Sequence, residues 1–136
     1  MDLLKLIREI NWKALIIGAA LCAFLATFGY NNHLEWLVPF SSIGLLYVGY
    51  EGKSLKMGTI LGAIAALPLF LVTIYGGFGS MNIGTYSLET LIVLALIACL
   101  VVGAIIGFVG AYFYRNRQKA IEKKENKNKI GKNNKK

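Results

Sequence analysis

"GYEGKSLKMGTILGAIAAL", Gly49 to Leu67, sets Glu51, Lys53 and Lys56 between two runs of almost purely apolar residues. Just beyond the glutamate a small residue recurs at every fourth position: Ser54, Gly58, Gly62 and Ala66. A soluble amphipathic helix spreads charge along one face. Here the charge is confined to a connector, which predicts a turn between two membrane helices.

The rest of the chain repeats that arrangement. Its hydrophobic fraction of 56% exceeds the roughly 45–50% of soluble domains. Between Ala14 and Tyr114 the only formally charged side chains are Glu35, Glu51, Lys53, Lys56 and Glu89. Crossing about 30 Å of hydrocarbon takes about 20 helical residues. Four stretches suit: Ala14–Tyr30, Leu34–Tyr50, Leu55–Tyr75 and Leu88–Tyr114. The second is short and carries Pro39, and the third contains Pro68; membrane helices tolerate both as kinks or first-turn residues. No Ala-x-Ala cleavage pattern follows the first apolar run, so that helix is expected to be retained.

Charge also orients these spans. Lys5, Arg8 and Lys13 precede the first, Lys53 and Lys56 lie between the second and third, and ten basic residues follow Tyr114. With four crossings all fifteen basic residues fall on one side, which the positive-inside rule makes the cytoplasm. The sequence therefore predicts an all-α protein of the cytoplasmic membrane with four transmembrane helices and both termini cytoplasmic. Trp12, Tyr50, Tyr112 and Tyr114 are expected at the inner interface; Tyr30, Trp36, Tyr75 and Tyr86 at the outer one. Residues 1–13, with Leu3, Leu4, Leu6, Ile7 and Ile10 on one helical face, form a cytoplasmic interfacial segment. Residues 14–114 form the membrane domain, and residues 115–136 a basic tail whose start continues the fourth helix and whose end is disordered.

Lipid tails are as apolar as leucine, so helix association relies on close contact across small residues. Three spans carry such rows: Ala14, Gly18, Cys22 and Ala26; Ser54, Gly58, Gly62 and Ala66; Ala95, Cys99, Gly103, Gly107 and Ala111. Gly18, Cys22, Gly58, Gly62, Gly103 and Gly107 are the predicted helix-packing residues. The rows serve contacts within one chain, between copies, or both.

"NWKALIIG", Asn11 to Gly18, and the turn bearing Gly49, Tyr50, Ser54, Gly58 and Gly62 resemble a family of small archaeal membrane proteins. That family occurs in methanogens and haloarchaea and is classed as a domain of unknown function. The resemblance covers residues 11 to 111 and implies a four-helix membrane domain. It implies no activity, catalytic residue or cofactor, and the Lys/Asn tail departs from the pattern.

Catalytic, cofactor-binding and metal-binding residues are all read as absent. His33 is the only histidine, and Glu35 and Glu89 alone could join it, whereas a metal needs several converging ligands. Cys22 and Cys99 sit mid-span as small packing residues. No ionisable residue lies at mid-depth, where a transporter usually keeps one. Thr27, Ser41, Ser42, Thr59 and Thr73 could line a polar path, although such hydroxyls more often bond their own helix. The tail is drawn to anionic lipid headgroups, and without an aromatic residue it lacks the stacking surface of a nucleic-acid binder. The expected function is non-enzymatic, through assembly with itself or a membrane partner. An oligomeric pore or transporter for small solutes is the alternative, and a holin-like membrane-lesion protein a weaker one.

Overall fold

A computed structural model of the chain describes residues 10–77 and 87–133. Most of the interfacial segment, the greater part of the third connector with Tyr86, and the last three residues lie outside that range. The described residues form helix α1 (Trp12–Asn31), a 3-10 segment (Glu35–Ser41), α2 (Ser42–Glu51), α3 (Leu55–Ala65), α4 (Leu67–Gly77) and α5 (Leu88–Asn133), without a strand. Three helical stretches are long and apolar enough to cross a membrane: Trp12–Asn31, Leu55–Tyr75 and Glu89–Asn126.

The helix ends follow from local chemistry. Asn11 caps α1, its side-chain oxygen accepting from the Ala14 amide at 3.3 Å. At the far end His33 adopts a left-handed φ of 54°. The His33 and Leu34 amides then donate to the carbonyls of Tyr30 and Gly29, a Schellman closure with histidine where glycine is usual. His33 thus serves a turn. A non-glycine residue in that conformation costs about 1 kcal/mol.

The turn between α2 and α3 reverses the usual division of labour. Lys53 takes the left-handed φ of 59°, while Gly52 before it stays in the right-handed region at φ −66°. Gly52 is needed for space, because a Cβ there would stand 2.8 Å from the Gly58 nitrogen. Ser54 then starts α3, its hydroxyl accepting from the Met57 amide at 3.2 Å.

Both prolines leave visible marks. Pro68 cannot donate to the Ile64 carbonyl, and the helix over Leu55–Gly77 is interrupted for one residue at Ala66, which separates α3 from α4. Pro39 lies inside the 3-10 segment. The stretch expected as one helical span over Leu34–Tyr50 is therefore seven 3-10 residues followed by a ten-residue α-helix. A 3-10 turn rises about 2.0 Å per residue against 1.5 Å in an α-helix. The composite reaches about 29 Å, where 17 α-helical residues would reach about 26 Å.

This short segment is the centre of the bundle. Helix α2 packs on α1, α3 and α5, and the 3-10 segment packs along α1. Of the four largest fully buried side chains, Leu45 and Val48 belong to α2, Leu61 to α3 and Cys22 to α1. Large apolar side chains cover the outside, including Ile16, Phe24, Leu71, Val93, Ile97, Ile105 and Phe113. Such an inverted surface suits a hydrocarbon solvent.

Helix α5 runs from Leu88 to Asn133 without a break, so helix extends through most of the tail whose end composition predicts to be disordered. Nucleation is the costly step in helix formation. The segment after Tyr114 inherits a formed helix, and its Gln, Lys, Ala and Glu residues propagate it well.

Candidate functional site

Two features of the bundle are built from specific residues: a glycine-lined helix junction and a polar network at one end. The junction lies where α2, α3 and α5 meet. A Cβ placed on Gly58 would stand 2.5 Å from the Ala111 Cβ and 2.9 Å from the carbonyl oxygens of both Gly49 and Gly107. One placed on Gly107 would stand 2.8 Å from the Gly62 Cα, and one on Gly103 2.5 Å from the Ala66 Cβ. These separations are shorter than real Cβ contacts, so only glycine lets the three backbones approach this closely. Gly58, Gly62, Gly103 and Gly107 thereby share one contact between α3 and α5.

Gly18 and Cys22 belong to a second contact. A Cβ on Gly18 would stand 2.7 Å from the Gly44 carbonyl oxygen on α2, and one on Gly44 3.1 Å from the Cys22 nitrogen. Cys22 is fully buried. Ser41, the one buried polar side chain among the described residues, faces its thiol. Both cysteines are free.

Gly44, Gly49 and Gly110 are packing residues that the four-residue spacing does not reveal. A Cβ on Gly49 would stand 2.6 Å from the Gly107 Cα, and one on Gly110 2.9 Å from the Tyr50 nitrogen. On α2 the spacing is five residues, with Leu45 and Val48 filling the positions between. The three-residue spacing of Gly107 and Gly110 keeps both near one side of α5, whereas the five-residue spacing turns Gly44 toward α1 and Gly49 toward α5.

The second feature is a network that ties three chain segments together at one end. The Asn11 amide donates to Glu51 Oε2 at 3.3 Å, joining the start of α1 to the end of α2. The Arg117 guanidinium donates to the Tyr50 hydroxyl at 2.7 Å, joining α5 to the same turn. Tyr114 packs edge-on against Tyr50 with ring centroids 5.3 Å apart. Tyr50 therefore ties α2 to α5, while Trp12 and Tyr112 are exposed. Tyr50→Phe is expected to lower stability by about 0.5–1.5 kcal/mol, the worth of one partly exposed hydrogen bond. Thermal unfolding in detergent would show it. Arg117→Gln should cost a similar amount, and the double variant no more than either single change.

The opposite end holds a groove between α1 and α4 lined by Thr27, Tyr30, Asn31, Leu71, Val72 and Tyr75. Its walls offer no acid–base pair and no nucleophile. Thr59 and Thr73 each donate back to their own helix, to the Leu55 and Leu69 carbonyls at 2.8 Å, as the sequence predicts. Among the described residues no three histidine, cysteine, aspartate or glutamate side chains gather as metal ligands do. Comparison with protein-family models, with curated proteins and with solved structures finds no match.

Proposed function

We propose that this chain is a four-span protein of the cytoplasmic membrane, with both termini in the cytoplasm, that acts without catalysis by assembling with itself or with a membrane partner. The observation that carries the orientation is the gathering of cations at one end. The Asn11–Glu51 and Tyr50–Arg117 bonds bring the start of α1, the α2–α3 turn and the distal part of α5 together. Lys13, Lys53, Lys56, Arg115 and Arg117 come with them. Tyr30, Asn31 and Tyr75 mark the other end, which carries no lysine or arginine among the described residues. The path from Glu35 to Glu51 then traverses the bundle, and its reach of about 29 Å matches the hydrocarbon thickness of about 30 Å. The likeness of Asn11–Gly18 and the Gly49–Gly62 turn to the small archaeal membrane family belongs to this proposal and contributes a fold rather than an activity.

Assembly is supported by helix α5. Gly103, Gly107 and Gly110 are consumed inside the chain, but Ala95 and Cys99, further along the same row, stay half-exposed among exposed Val93, Leu94 and Ile97. The test begins with topology. In a chain carrying Cys22→Ala and Cys99→Ala, a cysteine replacing Asn32 should react with an impermeant maleimide on intact cells. One replacing Lys53 should react only after permeabilisation, and its labelling from outside would overturn the orientation. The mass in nanodiscs and ion flux from vesicles then separate the roles. A defined oligomer without leakage supports assembly, whereas leakage altered by Thr59→Val or Ser42→Ala would replace it with a pore.

A further inference from the structure

We propose that the basic end of the bundle is a docking surface for anionic phospholipid headgroups, formed by Lys13, Lys53, Lys56, Arg115 and Lys119 rather than by the distal tail. The inference rests on the cytoplasmic orientation above and names the lipid chemistry that this end takes. Three observations support it. The two side-chain bonds just described hold three chain segments together, so the five cations lie at one end of the bundle although they are far apart in sequence. All five are exposed. Glu51, the acid at the turn, is half-buried and accepts from Asn11; Glu122 stands three residues beyond Lys119, and Glu35 and Glu89 lie in the segments that begin at the opposite end.

The third observation is the course of α5. An unbroken helix through Tyr114 carries the tail away from the interface at about 1.5 Å per residue. Arg115 and Lys119 lie within about 8 Å of Tyr114 along the axis, whereas Lys123 is about 14 Å and Lys132 about 27 Å beyond it. Screening at physiological ionic strength acts over about 8 Å. Lys123 and Lys124 therefore stand where headgroups attract them little. Arg117 is engaged with the Tyr50 hydroxyl and is left out of the surface.

The experiment uses the full-length protein in dodecyl maltoside, titrated with phosphatidylglycerol and, as control, phosphatidylcholine. Bound lipid is counted by native mass spectrometry. Preferential retention of phosphatidylglycerol is expected. Lys53→Gln/Lys56→Gln/Arg115→Gln should weaken it about 100-fold, at about fivefold per cation. Lys123→Gln/Lys124→Gln/Lys127→Gln/Lys129→Gln should change it by less than about twofold. Lys53→Arg/Lys56→Arg/Arg115→Lys should keep it. Should the triple glutamine variant not fold, Lys56→Gln alone must still lose about fivefold. Equal retention of phosphatidylcholine, an unaffected glutamine variant, or an equal loss in the tail variant would each overturn the proposal. Failure of the orientation is read separately, from the maleimide labelling at position 53.

Discussion

Gly107→Leu is expected to abolish the folded bundle rather than to weaken a contact between copies. Gly107 approaches both α2 and α3: a Cβ there meets the Gly58 carbonyl oxygen and lies 2.8 Å from the Gly62 Cα, while a Cβ on Gly49 would stand 2.6 Å from the Gly107 Cα. Extra methylenes in a packed core cost about 1–3 kcal/mol when side chains can yield. Here the obstacles are backbone atoms of α3, so α3 must move as a body and take Gly62 and Ala66 out of contact with Gly103. The expected loss is about 3 kcal/mol or more, a large share of the 5–15 kcal/mol typical of folded proteins. The measurement is thermal unfolding and monodispersity in detergent, with Ile105→Leu as control. Ile105 lies on the same helix and is 58% exposed, so its variant should stay within about 0.5 kcal/mol of the parent. A Gly107→Leu protein that unfolds normally and differs only in oligomeric mass would show that the row faces another copy.

That contrast also shows where the sequence is legible and where it is not. The small-residue rows are readable because a four-residue repeat keeps one face of a helix aligned, and close approach in lipid requires small side chains. What a row touches is a question of tertiary geometry, and periodicity does not contain it. Gly58 and Gly103 have the same local pattern as Gly18, yet Gly58 meets Gly107 and Gly103 meets Gly62 while Gly18 meets Gly44. The charges of the Gly49–Leu67 stretch are legible as a turn for a similar reason, since apolar runs on both sides leave them only one solvated place. The assignment of the left-handed position to Lys53 is not legible, because glycine is the default there and only the Gly58 backbone beside Gly52 explains the exchange. The second span is the least readable. Pro39 signals a break, but nothing local says that the α-helical remnant after it carries the most buried side chains of the bundle. The reach of α5 is underestimated from composition, because a tail rich in lysine and asparagine reads as solvated chain unless a formed helix precedes it.

Leu45→Ala gives the second large effect and tests that central position. Leu45 is fully buried on the ten-residue α2. In water-soluble proteins a buried Leu→Ala change costs about 2.7–5.0 kcal/mol, a transfer part plus a part that grows with the cavity left behind. In a bilayer the separated helices already hold their leucines in hydrocarbon, so the transfer part largely cancels and the cavity part remains. About 1–3 kcal/mol is therefore expected, below the soluble range but far above the change at a lipid-facing site. Ile43→Ala supplies that comparison, since Ile43 lies two residues away on the same helix and is 50% exposed. Reversible unfolding in mixed micelles measures both. A cost at Leu45 no greater than at Ile43 would mean that α2 lies at the edge of the bundle. The predicted gap between the two would mean that the shortest helix, through contacts no span-length criterion detects, holds α1, α3 and α5 together.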